Sequence, residues 1–337
     1  MATAPFKTEP SPQNWQQQLA DAFTNLNDLC RYLELPPEAV ALSATAAENF
    51  PLRVPRSYAE NIKKATPNDP LLLQILPLQA ELWSYPGFSD DPVGDLNAIK
   101  VPGVLHKYHG RALFINTGSC AINCRYCFRR NFPYADFQLS KEKEQAAIAY
   151  IEQNPSISEV ILSGGDPLTL SDNRLAKLIL QLNQIKHLKR LRIHSRLPTV
   201  LPARITTDLI DIFNKSCFPI VMVIHCNHAN ELNHQVIAAL TLLKNSRITL
   251  LNQSVLLKNI NDSSDALCAL SEALFDYGVM PYYLHILDKA QGTGHFEVSE
   301  AIGLNLIKQM QAVLPGYLVP KLVKEIAGAP AKQAVNI

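Results

Sequence analysis

The sequence predicts an α/β protein, a partial, TIM-like (β/α)6 barrel or open parallel sheet with an α-helical cap at its N-terminus. Three observations lead there. From residue 110 onward, short runs rich in branched and aromatic residues alternate with helical stretches, the pattern of parallel strands joined by right-handed crossovers. Six such units occur, where a closed barrel of this kind wants about eight. The first hundred residues or so are rich in proline and poor in strand signals, which suits short helices joined by turns.

In chain order, residues 13–35 carry apolar side chains at helical spacing (Trp15, Leu19, Phe23, Leu26, Leu29, Leu33) and stop before Pro36-Pro37. Residues 36–104 include Pro51, Pro55, Pro67, Pro70, Pro77, Pro86 and Pro92. Residues 1–104 therefore read as a cap region and 105–337 as the main body. In the body, strands are expected at 112–116, 159–163, 191–195, 219–225, 248–254 and 281–287, with helices at 141–153, 173–184, 207–214, 231–244 and 265–277. Ligands of such folds sit at the carboxyl ends of the strands.

Composition narrows the class. With 337 residues, 31 basic and 30 acidic side chains and a net charge of +1, the chain is no bulk-electrostatic binder of nucleic acid or membrane. Its 47% hydrophobic and 18% charged content is that of a globular protein. The first residues lack the apolar core of a signal peptide, and no apolar run approaches a bilayer span, so a soluble, cytoplasmic protein is expected. Seven cysteines, an odd number with three inside eight residues, look like ligands rather than a disulfide framework.

Those three are Cys120, Cys124 and Cys127, spaced C-x3-C-x2-C on the loop after the first expected strand. Three thiolates on a tight loop can hold three irons of a cubic iron–sulfur cluster and leave the fourth iron open to a ligand, whereas an electron-carrying cluster normally takes four. The rival is a Cys3His zinc site completed by His106 or His109, although no second C-x2-C knuckle follows. Plainly buried cysteines are the blandest reading, and the one that suits the scattered Cys30, Cys217, Cys226 and Cys268. Ser163-Gly164-Gly165-Asp166 follows the second expected strand, either as a ligand-cradling loop or as an ordinary turn. There is no G-x-G-x-x-G and no P-loop.

The cysteine loop after the first strand of such a barrel resembles the radical S-adenosylmethionine (SAM) superfamily, and the string CAINCRYCFRR narrows the resemblance to the lysine 2,3-aminomutase family. LSGGDPL at 162–168, RLPTVLPARIT at 196–206, HCNHANE at 225–231, LNQSVLLKNIND at 251–262, PYYLHILD at 281–288 and AGAPAK at 327–332 follow in the family's order, over residues 95–335. The pattern is most similar to a short bacterial branch that makes (R)-β-lysine for modifying elongation factor P.

The resemblance implies a [4Fe-4S] cluster on Cys120, Cys124 and Cys127, with SAM on the open iron and its amino-acid end on the Ser163–Asp166 loop. It implies that Lys332, otherwise an exposed tail lysine, forms the Schiff base with pyridoxal 5′-phosphate (PLP), since that chemistry needs a primary amine. The family's glycine turn before that lysine is Gly-Ala-Pro-Ala here. Lys107, Tyr108 and Arg111 match positions around PLP, with lysine at 107 where the family usually has arginine. His225 and Gln253 match polar positions near SAM or PLP. Arg129 matches the arginine that grips the substrate carboxylate, and Asp288 and Glu325 match the carboxylates on its distal ammonium. Two anions there favour L-lysine over an acidic substrate.

The implied activity is radical 2,3-amino migration in L-lysine, fed by a one-electron reductant, its product passing to an elongation factor P ligase. Free-lysine catabolism is the alternative. A radical SAM enzyme acting on RNA or protein through the arginines of CRYCFRR, and a non-enzymatic zinc or cluster-binding module, are the competing classes. The longer aminomutases carry a C-terminal extension with further cysteines, so assembly through it is not expected here.

Overall fold

The computed structural model describes residues 14–36, 39–134 and 140–335. One sheet of ten strands in chain order organises the body: β1 (Ile99–Val101), β2 (Val104–Tyr108), β3 (Arg111–Thr117), β4 (Glu159–Gly164), β5 (Arg190–Ser195), β6 (Ile220–His225), β7 (Ile248–Val255), β8 (Met280–His285), β9 (Lys321–Lys324) and β10 (Gln333–Ala334). Strands β3 to β9 are parallel, while β1, β2 and β10 pair antiparallel at the two margins. Strands β1 and β10 are the free edges, so the sheet is open and the barrel incomplete.

All six expected strands are present, as β3 to β8. The four unexpected ones have weak local signals. Strands β1 and β2 form a short hairpin around Gly103, whose φ of +87° needs glycine, and they bring residues 99–104 of the expected cap into the sheet. Strand β9 has only four residues, Leu322 and Val323 between two lysines. It is recruited by pairing with β8, and β10 then folds back on it.

Each crossover is a helix with an apolar face. The helices α5 (Lys141–Gln153), α6 (Asp172–Leu182), α8 (Thr207–Asn214), α9 (His234–Lys244), α10 (Ser264–Asp276) and α11 (Glu300–Val313) follow successive parallel strands, with the short α7 (Leu197–Val200) preceding α8. Side-chain hydroxyls or amides cap most of them, as Thr206 caps α8 and Ser263 caps α10. Strand residues then sort by parity. On β5, Leu191 and Ile193 are buried against the helices while Arg192 and His194 face the inner cavity.

The expected helix over 13–35 is two helices, α1 (Trp15–Ala20) and α2 (Leu26–Tyr32); Gln13 lies outside the described residues. Asn25 accepts hydrogen bonds from the Asn27 and Asp28 amides and so starts a new helix, while Phe23 exchanges both backbone hydrogen bonds with Val54. With α3 (Ala44–Asn49) and α4 (Arg56–Ala59), these short helices pack on the body. Leu29, Leu33, Tyr58, Leu72 and Ile75 belong to the same apolar cluster as Val160, Ile193 and Met222, so this layer shares the body's core. Residues 1–12 of the expected cap also lie outside the described residues. Among the described residues no helix is long and apolar enough to cross a membrane.

Candidate active site

Residues from β2, β4 to β8 and the segment after β9 line one cavity of about 320 Å³, together with the loop after β3. Strands about 4.8 Å apart could not bring so many ends to one space if the sheet were flat. The sheet therefore curls, and the cavity occupies the inside of the incomplete barrel at the carboxyl ends of its strands.

The cysteine loop forms one wall. Cys120, Cys124 and Cys127 are free thiols that line the cavity. Burial pushes the Cys127 thiol up to about 11, with Cys124 adding to the push and Arg129 and Arg130 opposing it. Cys120 is raised by burial and by Cys127, Asp166 and Cys124. Thiols so placed ionise when a metal binds them. The Arg196 Nη1 already donates to the Cys124 Sγ at 2.6 Å. Among the described residues no group of three or more His, Cys, Asp or Glu side chains is arranged around a single ion. The zinc alternative also fails on topology: His106 Nδ1 pairs with the Tyr150 hydroxyl at 2.9 Å on α5, and His109 is exposed in the β2–β3 turn, opposite the cysteine loop.

A second loop seals this wall. A Cβ on Gly165 would strike the Ser119 carbonyl, and one on Gly164, where φ is +117°, would sit 2.7 Å from Ile115 Cγ2. The two glycines thus let the β4 loop lie directly on the cysteine loop. Asp166 accepts from Ser195 Oγ at 2.8 Å, from the Arg196 amide at 2.7 Å and from the Leu168 and Leu197 amides. Burial nevertheless lifts it to about 6. Its carboxylate fixes the β4 and β5 loops relative to each other, and Ser163, beside it, lines the cavity.

Opposite lies an alternating ladder of charges. Lys332 Nζ donates to Glu325 Oε2 at 2.8 Å; Lys107 Nζ reaches Glu325 Oε1 at 3.1 Å and Asp95 Oδ1 at 2.6 Å; Arg129 Nε reaches Asp95 Oδ2 at 2.6 Å. Burial would raise Glu325, but Lys332 and Lys107 outweigh it and hold the carboxyl at about 2. Asp288 lacks such help. Burial lifts it to about 7, Lys332 pulling it down and Glu325 pushing it up, and among the described residues no side chain is within ion-pair distance of it. Arg129 is buried, its Nη1 3.5 Å from Ser163 Oγ.

The floor is polar and incompletely paired. Strand register sets His225 beside Gln253, whose Nε2 donates to His225 Nε2 at 2.7 Å. Burial, with Arg196 and Lys332 nearby, drops His225 to about 3, so it is neutral. His194 and His285 are likewise held neutral by burial, and the Nε2 of each is buried without a partner. The Tyr108 hydroxyl is also an orphan, its phenol held well above the ordinary value by burial and by Glu325. Arg111 stacks on the Tyr108 ring at 4.7 Å and, among the described residues, has no carboxylate partner. Buried orphans of this kind face a ligand.

All sixteen expected site residues therefore line one cavity: Lys107, Tyr108, Arg111, Cys120, Cys124, Cys127, Arg129, the four residues of the Ser163–Asp166 loop, His225, Gln253, Asp288, Glu325 and Lys332. Asp95, His194, His285 and Arg196 were not expected. The alternation in Arg190–Ser195 marks His194 as cavity-facing, but nothing local marks Asp95, which meets Arg129 across 34 residues. Arg125 and Arg130, which might have served RNA or protein, turn inward onto Glu81, so CRYCFRR presents no basic surface.

The site residues fit a cluster and PLP by their donors: three thiols on one wall, and a primary amine, a free guanidinium and orphaned polar atoms on the other. Comparison with known proteins agrees. Residues 115–268 match the Radical SAM superfamily. L-lysine 2,3-aminomutase of Escherichia coli K12 is 49% identical over 97% of this chain and 96% of its own length. The enzyme of that name from Haemophilus influenzae is 46% identical, covering 95% of each chain, and that of Clostridium subterminale is 33% identical over 96% of this chain and 77% of its own. The thiol wall, the lysine wall and these kinships converge: the chain belongs to the L-lysine 2,3-aminomutase family of radical SAM isomerases.

Proposed function

We propose that this chain converts L-α-lysine to (R)-β-lysine by 2,3-migration of the amino group, in the cytoplasm, with a cellular one-electron reductant, and that the product supplies an elongation factor P ligase. One observation supports the reading above the others: three free thiols and the amine of Lys332 line one cavity, together with Arg129, Asp288 and Glu325.

Cys120, Cys124 and Cys127 would hold the cluster, and Ser163, Gly164, Gly165, His225 and Gln253 would hold SAM above it. Lys332 would carry PLP, with Tyr108 beside its ring and Arg111 and Lys107 supplying positive charge. When bound, the cluster and SAM supply hydrogen-abstracting power, and PLP supplies the conjugated system across which nitrogen migrates. The chain's own residues supply placement. Asp95 holds the Nε edge of Arg129, so the Nη edge is left to face a carboxylate as a planar fork. Asp288 and Glu325, on the loops after β8 and β9, supply the cavity with two carboxylates that suit a substrate with a distal ammonium. Burial keeps His194, His225 and His285 uncharged, so they add hydrogen-bonding groups and no positive charge to the cavity.

The test is anaerobic. Protein reconstituted with iron, sulfide and PLP is given dithionite, SAM and L-lysine, and products are separated by chiral chromatography and mass spectrometry. (R)-β-lysine is expected; a loaded cluster that yields neither β-lysine nor 5′-deoxyadenosine sinks the proposal. The downstream role is read separately. Loss of the β-lysyl mass from elongation factor P in a strain lacking this chain supports it, and an unchanged mass leaves free-lysine catabolism.

A further inference from the structure

Arg196, the residue after β5, is buried between the thiol loop and the N-terminal layer. Its Nη1 donates to Cys124 Sγ at 2.6 Å, and among the described residues no other side chain donates to any of the three thiols. The guanidinium is clamped in that direction. Its Nη2 donates to Gln74 Oε1 at 2.7 Å and lies 3.3 Å from Glu231 Oε2. The rings of Tyr58 and Tyr126 flank it, each with its centroid 5.5 Å away. Its backbone amide donates to Asp166 Oδ2 at 2.7 Å, which ties it to the β4 loop. The clamps are themselves fixed: Gln74 Oε1 also accepts from Asn227 Nδ2 at 3.0 Å, and Glu231 Oε1 is taken by the Asn227 and His228 amides.

We infer that Arg196 is a positioning residue for the iron–sulfur cluster: its fixed Nη1 donor, aimed at Cys124 Sγ, stabilises the reduced form and so raises the reduction potential. The inference rests on the proposed assignment of Cys120, Cys124 and Cys127 to the cluster. Reduction adds one negative charge, and hydrogen bonds to the sulfurs and nearby positive charge favour the form that carries it. An arginine keeps its charge in both states, and salt screens a buried charge little. Glu231 opposes it, as the one carboxylate within ion-pair distance of Arg196 among the described residues. The potential is then set by an opposed pair, with Arg196 on the thiol and Glu231 behind it. A potential raised in this way lets a milder one-electron donor reduce the cluster.

The measurement is the midpoint potential of the reconstituted cluster, read from the EPR signal of its reduced form at a series of set potentials. Iron and sulfide are counted per chain, and neither SAM nor lysine is present. Arg196→Met removes the charge and the donor but keeps an unbranched side chain. It should shift the reduction equilibrium about tenfold toward the oxidised form, about 59 mV to the negative side. Arg196→Lys keeps the charge without the planar fork and should shift it the same way by less. Glu231→Gln should shift it the opposite way, because Arg196 then acts without its countercharge. Opposite signs separate this role from a structural one, which would lower the iron content of both variants without ordering their potentials. If Arg196→Met holds too little iron for EPR, Arg196→Lys and Glu231→Gln carry the test. Loaded variants whose potentials match that of the unaltered protein, or that all move in one direction, overturn the inference and leave the proposed function standing. Unaltered protein that takes up no iron and sulfide on reconstitution overturns both.

Discussion

Two buried polar regions of this molecule differ in one respect. Under the cysteine loop, the fully buried Arg125 places Nε 2.8 Å and Nη2 2.5 Å from the Glu81 carboxylate and donates further to the Phe50 and Ala46 carbonyls, while Arg130 adds a second cation to Glu81 at 2.7 Å. Across the cavity, among the described residues, Asp288 and Arg111 make no ion pair and the Tyr108 hydroxyl and the Nε2 atoms of His194 and His285 have no hydrogen-bond partner. In the first region Glu81 is engaged by both arginines, and its chemistry is that of a scaffold tying the N-terminal layer to the loop that carries the thiols. The second retains capacity inside the barrel, where unpaired groups are costly unless a ligand completes them. Glu81 with its two arginines is thus spent on the framework, while the cavity keeps donors and acceptors open to a ligand.

The largest effect should come from the open side. Lys332→Ala removes the primary amine and should abolish both β-lysine formation and the visible absorbance of lysine-bound PLP; absorbance that persists would assign PLP to another lysine. On the closed side, Glu81→Ala leaves two buried guanidinium groups without their carboxylate, held only by backbone carbonyls. A loss of about 3–5 kcal/mol in chemical unfolding is expected, and a loss under about 1 kcal/mol would mean the network is not a scaffold. Between the two regions, Gly165→Ala drives a methyl group into the Ser119 carbonyl. About 1–3 kcal/mol of strain should follow, together with less iron bound per chain after reconstitution, since the two loops can no longer lie together.

A smaller effect is set by pH. Asp288 is held at about 7, so in the empty site it is protonated below that pH and must lose a proton before it can pair with an ammonium. L-lysine affinity, read from the visible absorbance of bound PLP, should therefore fall by roughly tenfold per pH unit as pH drops below about 7 and be flat above it. The affinity of L-norleucine, which lacks the distal ammonium, should not change. Glu325, held at about 2, stays ionised throughout and contributes no slope in this window. Its stabilising effect is present above the ordinary glutamate range and is lost only as pH falls toward 2. The smallest effect belongs to neither region. Lys324→Ala removes an exposed pair with Glu300 and should change stability by less than about 1 kcal/mol by thermal melt.

Much of this was legible in the chain. The six central strands and their helices follow from apolar runs bounded by turn residues, because a strand covered on both faces and a crossover helix each leave a strong local pattern. The cysteine spacing and the glycine pair stood out for the same reason: each is a short motif on one loop. What was not legible is non-local. Strands β1, β2, β9 and β10 exist because a neighbour recruits them, and the break between α1 and α2 depends on a backbone exchange with Val54. Asp95 lies in a proline-rich turn with no periodicity to mark it, and it matters because the fold sets it between Arg129 and Lys107.

The sequence by itself determined the three thiols on one loop, because residue type and spacing fix what such a loop can bind; the amine near the end of the chain, and the cation and two anions that suit a diamino acid, it marked through resemblance to the aminomutase family. The tertiary structure alone decided which of these groups are already engaged. Glu325 and Asp288 are interchangeable as letters, two carboxylates on neighbouring loops. Only the curl of the sheet makes them different: it sets Lys107 and Lys332 within ion-pair distance of Glu325, while among the described residues they act on Asp288 from farther off, and the state of a buried charge depends on what the fold places within a few ångströms of it.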